Sequence, residues 1–102
     1  MKSGATPIKE KTVEKHFCDE MQKAFPDCEI FKFEVRRGEP DRIVLLPGGR
    51  TFFVELKRPG ESLRPEQERA LQRKRNLGFE AYWANTKTMV DEIIFKITGN
   101  VR

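Results

Sequence analysis

The middle of the sequence predicts a β-hairpin. Two nearly continuous apolar runs, Arg42–Leu46 and Thr51–Leu56, lie on either side of Pro47-Gly48-Gly49. Continuous runs of β-branched and aromatic residues are typical of strands buried on both faces, and proline and glycine mark turns. The pattern therefore predicts two neighbouring central strands joined by a tight loop.

Charged side chains lie at the ends of these two strands. Asp41 comes directly before the first strand, and Glu55 and Lys57 lie at the end of the second. Charged groups are rarely buried unless they pair or bind a metal, because removing a charge from water is costly. Glu55 and Lys57 are two residues apart, so both side chains leave the same face of the strand.

The length of the hairpin loop decides whether Asp41 joins Glu55. A two-residue loop would place Asp41 opposite Leu56, whereas a three-residue loop places it directly opposite Glu55. Three-residue loops are commonly a type I turn followed by a left-handed residue, and Pro47 and Gly49 suit those two positions. The sequence permits this loop, and a shared site requires it.

Asp41 and Glu55 are candidate ligands of a divalent metal. Neighbouring carboxylates repel each other, and Mg²⁺ or Mn²⁺ removes that repulsion by binding hard oxygens, with the main-chain carbonyl of Leu56 as a further ligand. Such an ion activates water and polarises a phosphate, and Lys57 would orient the water or neutralise developing charge, which indicates a nuclease. The alternative is a Glu55–Lys57 salt bridge on a solvated sheet face.

A helix predicted from Ile8 to Phe25 places one more carboxylate in an unusual position. Glu14 falls inside the apolar arc of this helix, and Pro26 ends the helix. Two interpretations are open. The carboxylate either interacts with the helix dipole and reaches solvent, or it points into the same site as the strand carboxylates.

The remaining pattern predicts an α/β fold, a mixed central sheet flanked by helices in the order α-β-β-β-α-β-α. Gln67 of the second helix shares one helical face with Ala70, Leu71 and Lys74, and it either points inward or is an ordinary boundary residue. The further elements are a strand at Ile30–Val35, a helix from Pro65 to Leu77 capped by Gly78, a strand at Phe79–Ala84, and a last helix capped by Thr86 or Thr88 and closed by Gly99.

Length and composition predict a single domain over residues 1–102, with residues 1–7 disordered. No apolar run approaches the roughly 20 residues that cross a bilayer, and no signal peptide is evident, so we expect a cytoplasmic protein without a membrane partner. Cys18 and Cys28 lack CxxC spacing and His16 is the only histidine, which argues against zinc and for cysteines in the core.

Basic residues crowd around the hairpin. This excess fits either a polyanionic partner or a solvated surface, and the net charge of +4 does not decide between them. The residues are Arg36, Arg37, Arg42, Arg50, Lys57, Arg58 and Arg64.

These motifs resemble a known family. Gly38–Asp41 (Gly-Glu-Pro-Asp), followed by Glu55–Lys57 (Glu-Leu-Lys) after a Gly-Gly hairpin, resembles the PD-(D/E)xK nuclease superfamily. The segment Pro59–Gln67 narrows the resemblance to the VRR-NUC (virus-type replication-repair nuclease) domain, over roughly Thr12–Asn85. Glu39 departs from the family pattern, and as an extra acid it would bind a second metal or face solvent.

The resemblance implies a restriction-endonuclease-like core, a Mg²⁺ or Mn²⁺ cofactor without a nucleotide cofactor, and hydrolysis of DNA phosphodiesters. The catalytic residues that it implies are Glu14, Asp41, Glu55, Lys57 and Gln67, with Glu14, Asp41, Glu55 and the Leu56 carbonyl as metal ligands. Basic side chains near the strand ends and the second helix are the expected DNA contacts, made to the backbone and not to bases. They are Arg36, Arg37, Arg58, Arg69 and Arg73.

Stand-alone domains of this family are phage or bacterial, and the resemblance implies a homodimer that acts on branched DNA such as four-way (Holliday) junctions. The apolar last helix is a candidate dimer surface, although core packing is expected for most of it. Two alternatives remain: a flap or single-strand-nicking nuclease with the same site, and a catalytically silent DNA-binding module.

Overall fold

The computed structural model describes residues 10–32 and 37–99 of the chain. Its elements follow the predicted order α-β-β-β-α-β-α. They are α1 (Glu10–Ala24), β1 (Glu29–Lys32), β2 (Arg42–Leu45), β3 (Thr51–Leu56), α2 (Pro65–Asn76), β4 (Glu80–Ala84) and α3 (Lys87–Thr98). The predicted start of the first helix at Ile8, the predicted disorder of residues 1–7 and the end of the first strand at 33–35 lie outside the described residues.

The four strands form one mixed sheet in the order β1-β2-β3-β4. β2 pairs antiparallel with both β1 and β3, whereas β3 and β4 are parallel. The parallel connection requires a crossover, and α2 supplies it. The predicted mixed sheet with flanking helices is therefore confirmed.

The β2–β3 hairpin has the predicted three-residue loop. Arg42 lies opposite Val54 in the register, and the Leu46 N–H donates to the Arg50 carbonyl at 2.8 Å beyond the loop Pro47–Gly49. One residue before Arg42, the same register places Asp41 opposite Glu55.

The turn type within this loop differs from the prediction. Gly48 has φ 83° and ψ 8°, the values of the third residue of a type II turn, and Gly49 has φ 81°. The predicted type I turn is therefore wrong, because Gly48 as well as Gly49 adopts the left-handed region that only glycine enters without strain. The loop length, which sets the register, is unaffected.

The main core lies between the sheet and the helices α1 and α3. Phe17 of α1 meets Phe52 of β3 edge to face, with ring centroids 6.5 Å apart. Cys28 is buried in this cluster and Cys18 packs against it, as predicted. The strand residues that face this core are Val44, Phe52, Val54, Leu56 and Ala84.

The opposite face of the sheet is covered by α2 over a smaller apolar cluster of Phe53, Leu71 and Ala81. Glu55 follows Phe53 on this same face because strand side chains alternate. The first turn of α2 therefore covers the end of β3 where Glu55 lies. This position of α2 brings the start of the helix next to the Glu55 side chain.

The last helix begins and ends as the sequence predicts. Thr86, and not Thr88, is the N-cap, because its Oγ1 accepts from the Met89 N–H at 3.1 Å. Most of the apolar face of α3 is core, since Ile93 and Ile97 are buried, whereas Phe95 is 55% exposed. None of the helices in the described ranges has the length and apolar character that a membrane span needs.

Candidate active site

Glu55 is a buried carboxylate at the end of a central strand. It is 6% exposed, and its Oε2 accepts a hydrogen bond from Gln67 Nε2 at 3.2 Å. Among residues 10–32 and 37–99, no ion pair joins Glu55 to Lys57. Burial of Glu55 argues against the alternative of a salt bridge on a solvated face.

Gln67 holds this carboxylate from the first turn of α2. Its Oε1 accepts from the Arg64 N–H at 2.9 Å while its Nε2 donates to Glu55. The side chain is buried, so of the two interpretations left open by periodicity the inward one is correct. The amide both completes the start of the helix and orients Glu55.

Asp41 lies opposite Glu55, directly before β2. Asp41 Oδ1 and Glu55 Oε1 are both buried from solvent. These are hard oxygens on neighbouring strands, and the Leu56 main-chain carbonyl lies next to Glu55 in the chain. Within the described part of the chain, no group of three or more Asp, Glu, His or Cys side chains is arranged to hold a metal.

A set of two carboxylates and one carbonyl nevertheless fits Mg²⁺ or Mn²⁺. Mg²⁺ keeps several of its waters and is commonly held by only one or two protein carboxylates. A soft metal that requires thiolate or several imidazole ligands would not fit oxygens of this kind. The chemistry of Asp41, Glu55 and the Leu56 carbonyl therefore suits the predicted ion.

Glu14 of α1 points toward Arg42, the first residue of β2. Its carboxylate forms an ion pair with Arg42, and Arg42 Nη1 lies 3.3 Å from Asp41 Oδ2. The structure thus connects Glu14 to Asp41 through a guanidinium. Direct metal binding by Glu14 stays a prediction.

Lys57 directly follows β3 and is half-buried. Its backbone N–H donates to the Ala84 carbonyl at 2.8 Å, which extends the β3–β4 pairing by one residue and fixes the start of the side chain. Across the described ranges, Lys57 has no carboxylate within ion-pair distance. Its ammonium is therefore not neutralised by a protein carboxylate in those ranges.

Glu39 has a role that the sequence did not predict. Its side chain is 6% exposed and pairs with Lys74 and, at 3.3 Å, with Arg73, both on α2. The expectation that Glu39 faces solvent is therefore wrong, and a second-metal role finds no support because two cations already hold it. Gly38 also lies close to α2, since a Cβ there would be 3.1 Å from Glu66 Cγ. The loop before Asp41 is therefore held against α2 by the ion pairs of Glu39 and by the close approach of Gly38.

Arg42 and Arg50, both of the basic cluster, each pair with a carboxylate of another element. Arg42 is buried between carboxylates, and Arg50 makes two hydrogen bonds to Glu80, at 2.6 and 2.8 Å, and one to the Ile97 carbonyl at 2.6 Å. Sequence reasoning missed Arg42 as a site residue. The available signal was an arginine at the start of a run that otherwise predicts a buried strand.

The predicted DNA-contacting arginines have different environments. Arg37 and Arg69 are exposed, and Arg58 is exposed beside Glu61 at 2.9 Å. Arg73 is engaged by Glu39, while Arg36 lies outside the described residues. Contact with DNA stays a prediction for all of them.

Comparisons with known proteins identify the family of this chain. The sequence model of the VRR-NUC domain matches residues 8–88. "Putative nuclease p44" of Acyrthosiphon pisum secondary endosymbiont phage 1 is 42% identical over 73 residues, which are 72% of this chain and 78% of the phage protein. A solved structure described as "VRR_NUC domain" matches with a TM-score of 0.71 and 30% identity, over 83% of this chain and 92% of that one. The chain therefore belongs to the VRR-NUC domain family and is a nuclease.

Proposed function

We propose that this nuclease is a Mg²⁺- or Mn²⁺-dependent endonuclease that hydrolyses DNA phosphodiesters and acts on four-way junctions as a homodimer. The observation that carries the proposal is the β2–β3 register, which sets Asp41 opposite Glu55. The hydrogen bond from Gln67 to Glu55 and the position of Lys57 directly after the strand that carries Glu55 support it further.

Asp41, Glu55 and the Leu56 carbonyl would hold the ion. When bound, a divalent ion lowers the pKa of a water and polarises the scissile phosphate. Gln67 restrains one oxygen of Glu55, so the carboxylate does not have to be ordered at the moment of reaction. A hydrogen bond to a charged group of this kind contributes about 1.5–3 kcal/mol.

Lys57 would supply positive charge where the transferred phosphate becomes more negative. An ammonium is a compact charge with three donors, and Lys57 is not neutralised by a carboxylate in the described ranges. In this proposal it orients the attacking water or stabilises the phosphate oxygens, and it takes no part in binding the ion. Loss of its charge should therefore reduce cleavage more than it reduces DNA binding.

Exposed arginines on the α2 side would contact DNA through phosphates. Arg37, Arg58 and Arg69 are exposed. Arg37 precedes Asp41 and β2, Arg58 follows β3 with its Glu55, and Arg69 is on α2, which holds Glu55 through Gln67. A homodimer would present two such sites related by a twofold axis, which suits symmetric nicking of two strands. The exposed Phe95 on α3 is a candidate part of the dimer contact. We place the activity in the cytoplasm of a bacterial host.

A cleavage assay on defined DNA tests the proposal. Fixed four-way junctions, flaps and plain duplex are incubated with the purified protein and Mg²⁺, Mn²⁺ or EDTA. We expect cleavage only with metal and fastest on the junction. Preference for flaps would replace the junction assignment, and DNA binding without cleavage would indicate a silent module.

Matched variants connect the activity to the site. Glu55→Gln removes one charge with little change of shape and should abolish cleavage, whereas Glu68→Gln, at an exposed position of α2, should not. Lys57→Ala should lose cleavage and keep junction binding in a gel-shift assay. Cleavage that persists in Glu55→Gln would contradict the proposed site.

A further inference from the structure

The Arg42 guanidinium lies between two carboxylates from separate elements. It pairs with Glu14 of α1, and its Nη1 lies 3.3 Å from Asp41 Oδ2. The same Nη1 donates to the main-chain carbonyl of Asp41 at 3.3 Å. One side chain therefore connects the helix carboxylate to both the carboxylate and the backbone of Asp41.

Because Arg42 is buried, its stability depends on these contacts. The Arg42 side chain is 3% exposed, and a buried guanidinium is costly unless acceptors surround it. If Arg42 served only to join α1 to the sheet, its ion pair with Glu14 would be sufficient. The second set of contacts goes to Asp41, which the register sets opposite Glu55.

We propose that Arg42 is a positioning residue that orients Asp41, and through it the pair of Asp41 and Glu55, for the divalent ion. This inference rests on the proposed metal-dependent function. The planar guanidinium presents its donors in a fixed fork, so two acceptors bound to it take definite directions. A lysine would offer the same charge on a flexible stem without that fork.

Calorimetric titration with Mn²⁺ in the absence of DNA tests this role. Arg42→Lys keeps the charge and removes the fork, so we expect the Kd for Mn²⁺ to rise by about tenfold or more, the usual effect of losing a group that orients a ligand. Arg50→Lys is the matched control. Arg50 also binds a carboxylate through two nitrogens, but it lies at the opposite end of the hairpin, so the Kd should stay at the wild-type value.

A measurement on the wild-type protein covers the case in which Arg42→Lys does not fold. The Nε–H signals of arginine side chains are followed by NMR during titration with Mg²⁺. We expect the Arg42 signal to shift with the same midpoint as the backbone amide of Glu55, and the Arg50 signal to stay fixed.

The outcomes separate this inference from the function on which it depends. Equal Kd values for Mn²⁺ in Arg42→Lys and Arg50→Lys would overturn the role of Arg42, and so would an Arg42 signal that stays fixed while Glu55 shifts. Metal binding by the wild type would still stand in both cases. A wild-type protein that binds neither ion overturns the proposed metal dependence and the role of Arg42 together.

Discussion

Gln67 Nε2 donates to Glu55 Oε2 at 3.2 Å, and this bond joins the first turn of α2 to the end of β3. The same amide accepts from the Arg64 N–H through Oε1 at 2.9 Å. Because one side chain serves both contacts, the start of the helix and the direction of the buried carboxylate depend on each other.

Replacing Gln67 should therefore affect catalysis and stability together. Gln67→Ala leaves the buried Glu55 without this donor, and we expect the free energy of unfolding in urea to fall by about 1–3 kcal/mol. Single-turnover cleavage of a four-way junction should slow by roughly 10–100-fold, as for other groups that orient a ligand. Gln72→Ala, which removes only an exposed bond to Asn76, should change neither. Unchanged cleavage in Gln67→Ala would contradict the positioning role.

Glu39 should contribute to stability through its buried ion pair with Lys74. Glu39→Ala leaves the ammonium of Lys74, 16% exposed, without this partner, and breaking a buried pair in this way costs about 3 kcal/mol. Glu66→Ala removes the more exposed pair with Arg64, which solvent screens, and should therefore cost much less. Urea unfolding of both variants checks the difference, and equal losses would show that Glu39 is solvated.

Tyr82 should make stability fall at alkaline pH. Burial and the hydrogen bond to Glu80 raise the pKa of Tyr82 to about 12, from 10.0. A group whose pKa is higher in the folded state stabilises the fold below pH 10 and loses that contribution as the pH rises through about 12. Tyr82 is the only tyrosine, so tyrosinate absorbance reports its titration directly. Tyr82→Phe should remove this part of the alkaline decline, and a tyrosinate midpoint near 10 would contradict it.

Glu80 should make the stability of the fold decrease at acidic pH. Hydrogen bonds from Arg50 lower the pKa of Glu80 below its usual value of 4.5. A carboxyl with a lowered pKa stabilises the fold above its unfolded value and loses that contribution as the pH falls through its folded value. Glu80→Gln should therefore reduce stability at neutral pH and flatten the acid decline measured by thermal unfolding. Glu29→Gln, exposed on β1, is the control, and an equally steep decline in Glu80→Gln would contradict the prediction.

The hairpin loop should tolerate only residues that accept a left-handed backbone. Gly48 has φ 83°, and a Cβ there would meet no atom within 4 Å, so any cost of substitution comes from the backbone alone. Gly48→Ala should lower the free energy of unfolding by about 1 kcal/mol, and Gly48→Asn by less, because asparagine enters this region more easily. Equal values in thermal unfolding would mean that the turn rearranges.

Local signals in the sequence were sufficient for the hairpin but not for its register. Proline and glycine permitted a three-residue loop, and only the requirement of a shared site favoured it over the two-residue loop that would set Asp41 opposite Leu56. The order of helices and strands followed from periodicity. The turn type did not, because Gly48 and Gly49 are equally able to adopt positive φ.

Contacts between distant segments could not be predicted. Periodicity left Gln67 either inward or at a boundary, and only the packing of α2 over β3 decided it. Glu39 and Lys74 are 35 residues apart in sequence, and Arg42 of β2 forms its ion pair with Glu14 of α1. The arginines of the basic cluster look alike in sequence, although the burial of Arg42 differs entirely from the exposure of Arg37.

Helix α2 contacts both segments that carry the candidate metal ligands: Gln67 binds Glu55 of β3, and Lys74 pairs with Glu39 in the loop before Asp41. Gln67 and Lys74 are two turns apart, so they lie on nearly the same side of the helix. One residue inserted between Gln67 and Arg73 would rotate both cations by about 100°, so that Arg73 would take the place of Lys74 beside Glu39 while Lys74 turned away. The adjacent cations at positions 73 and 74 therefore allow this helix to keep a positive charge beside Glu39 when its length between the two contacts changes by one residue.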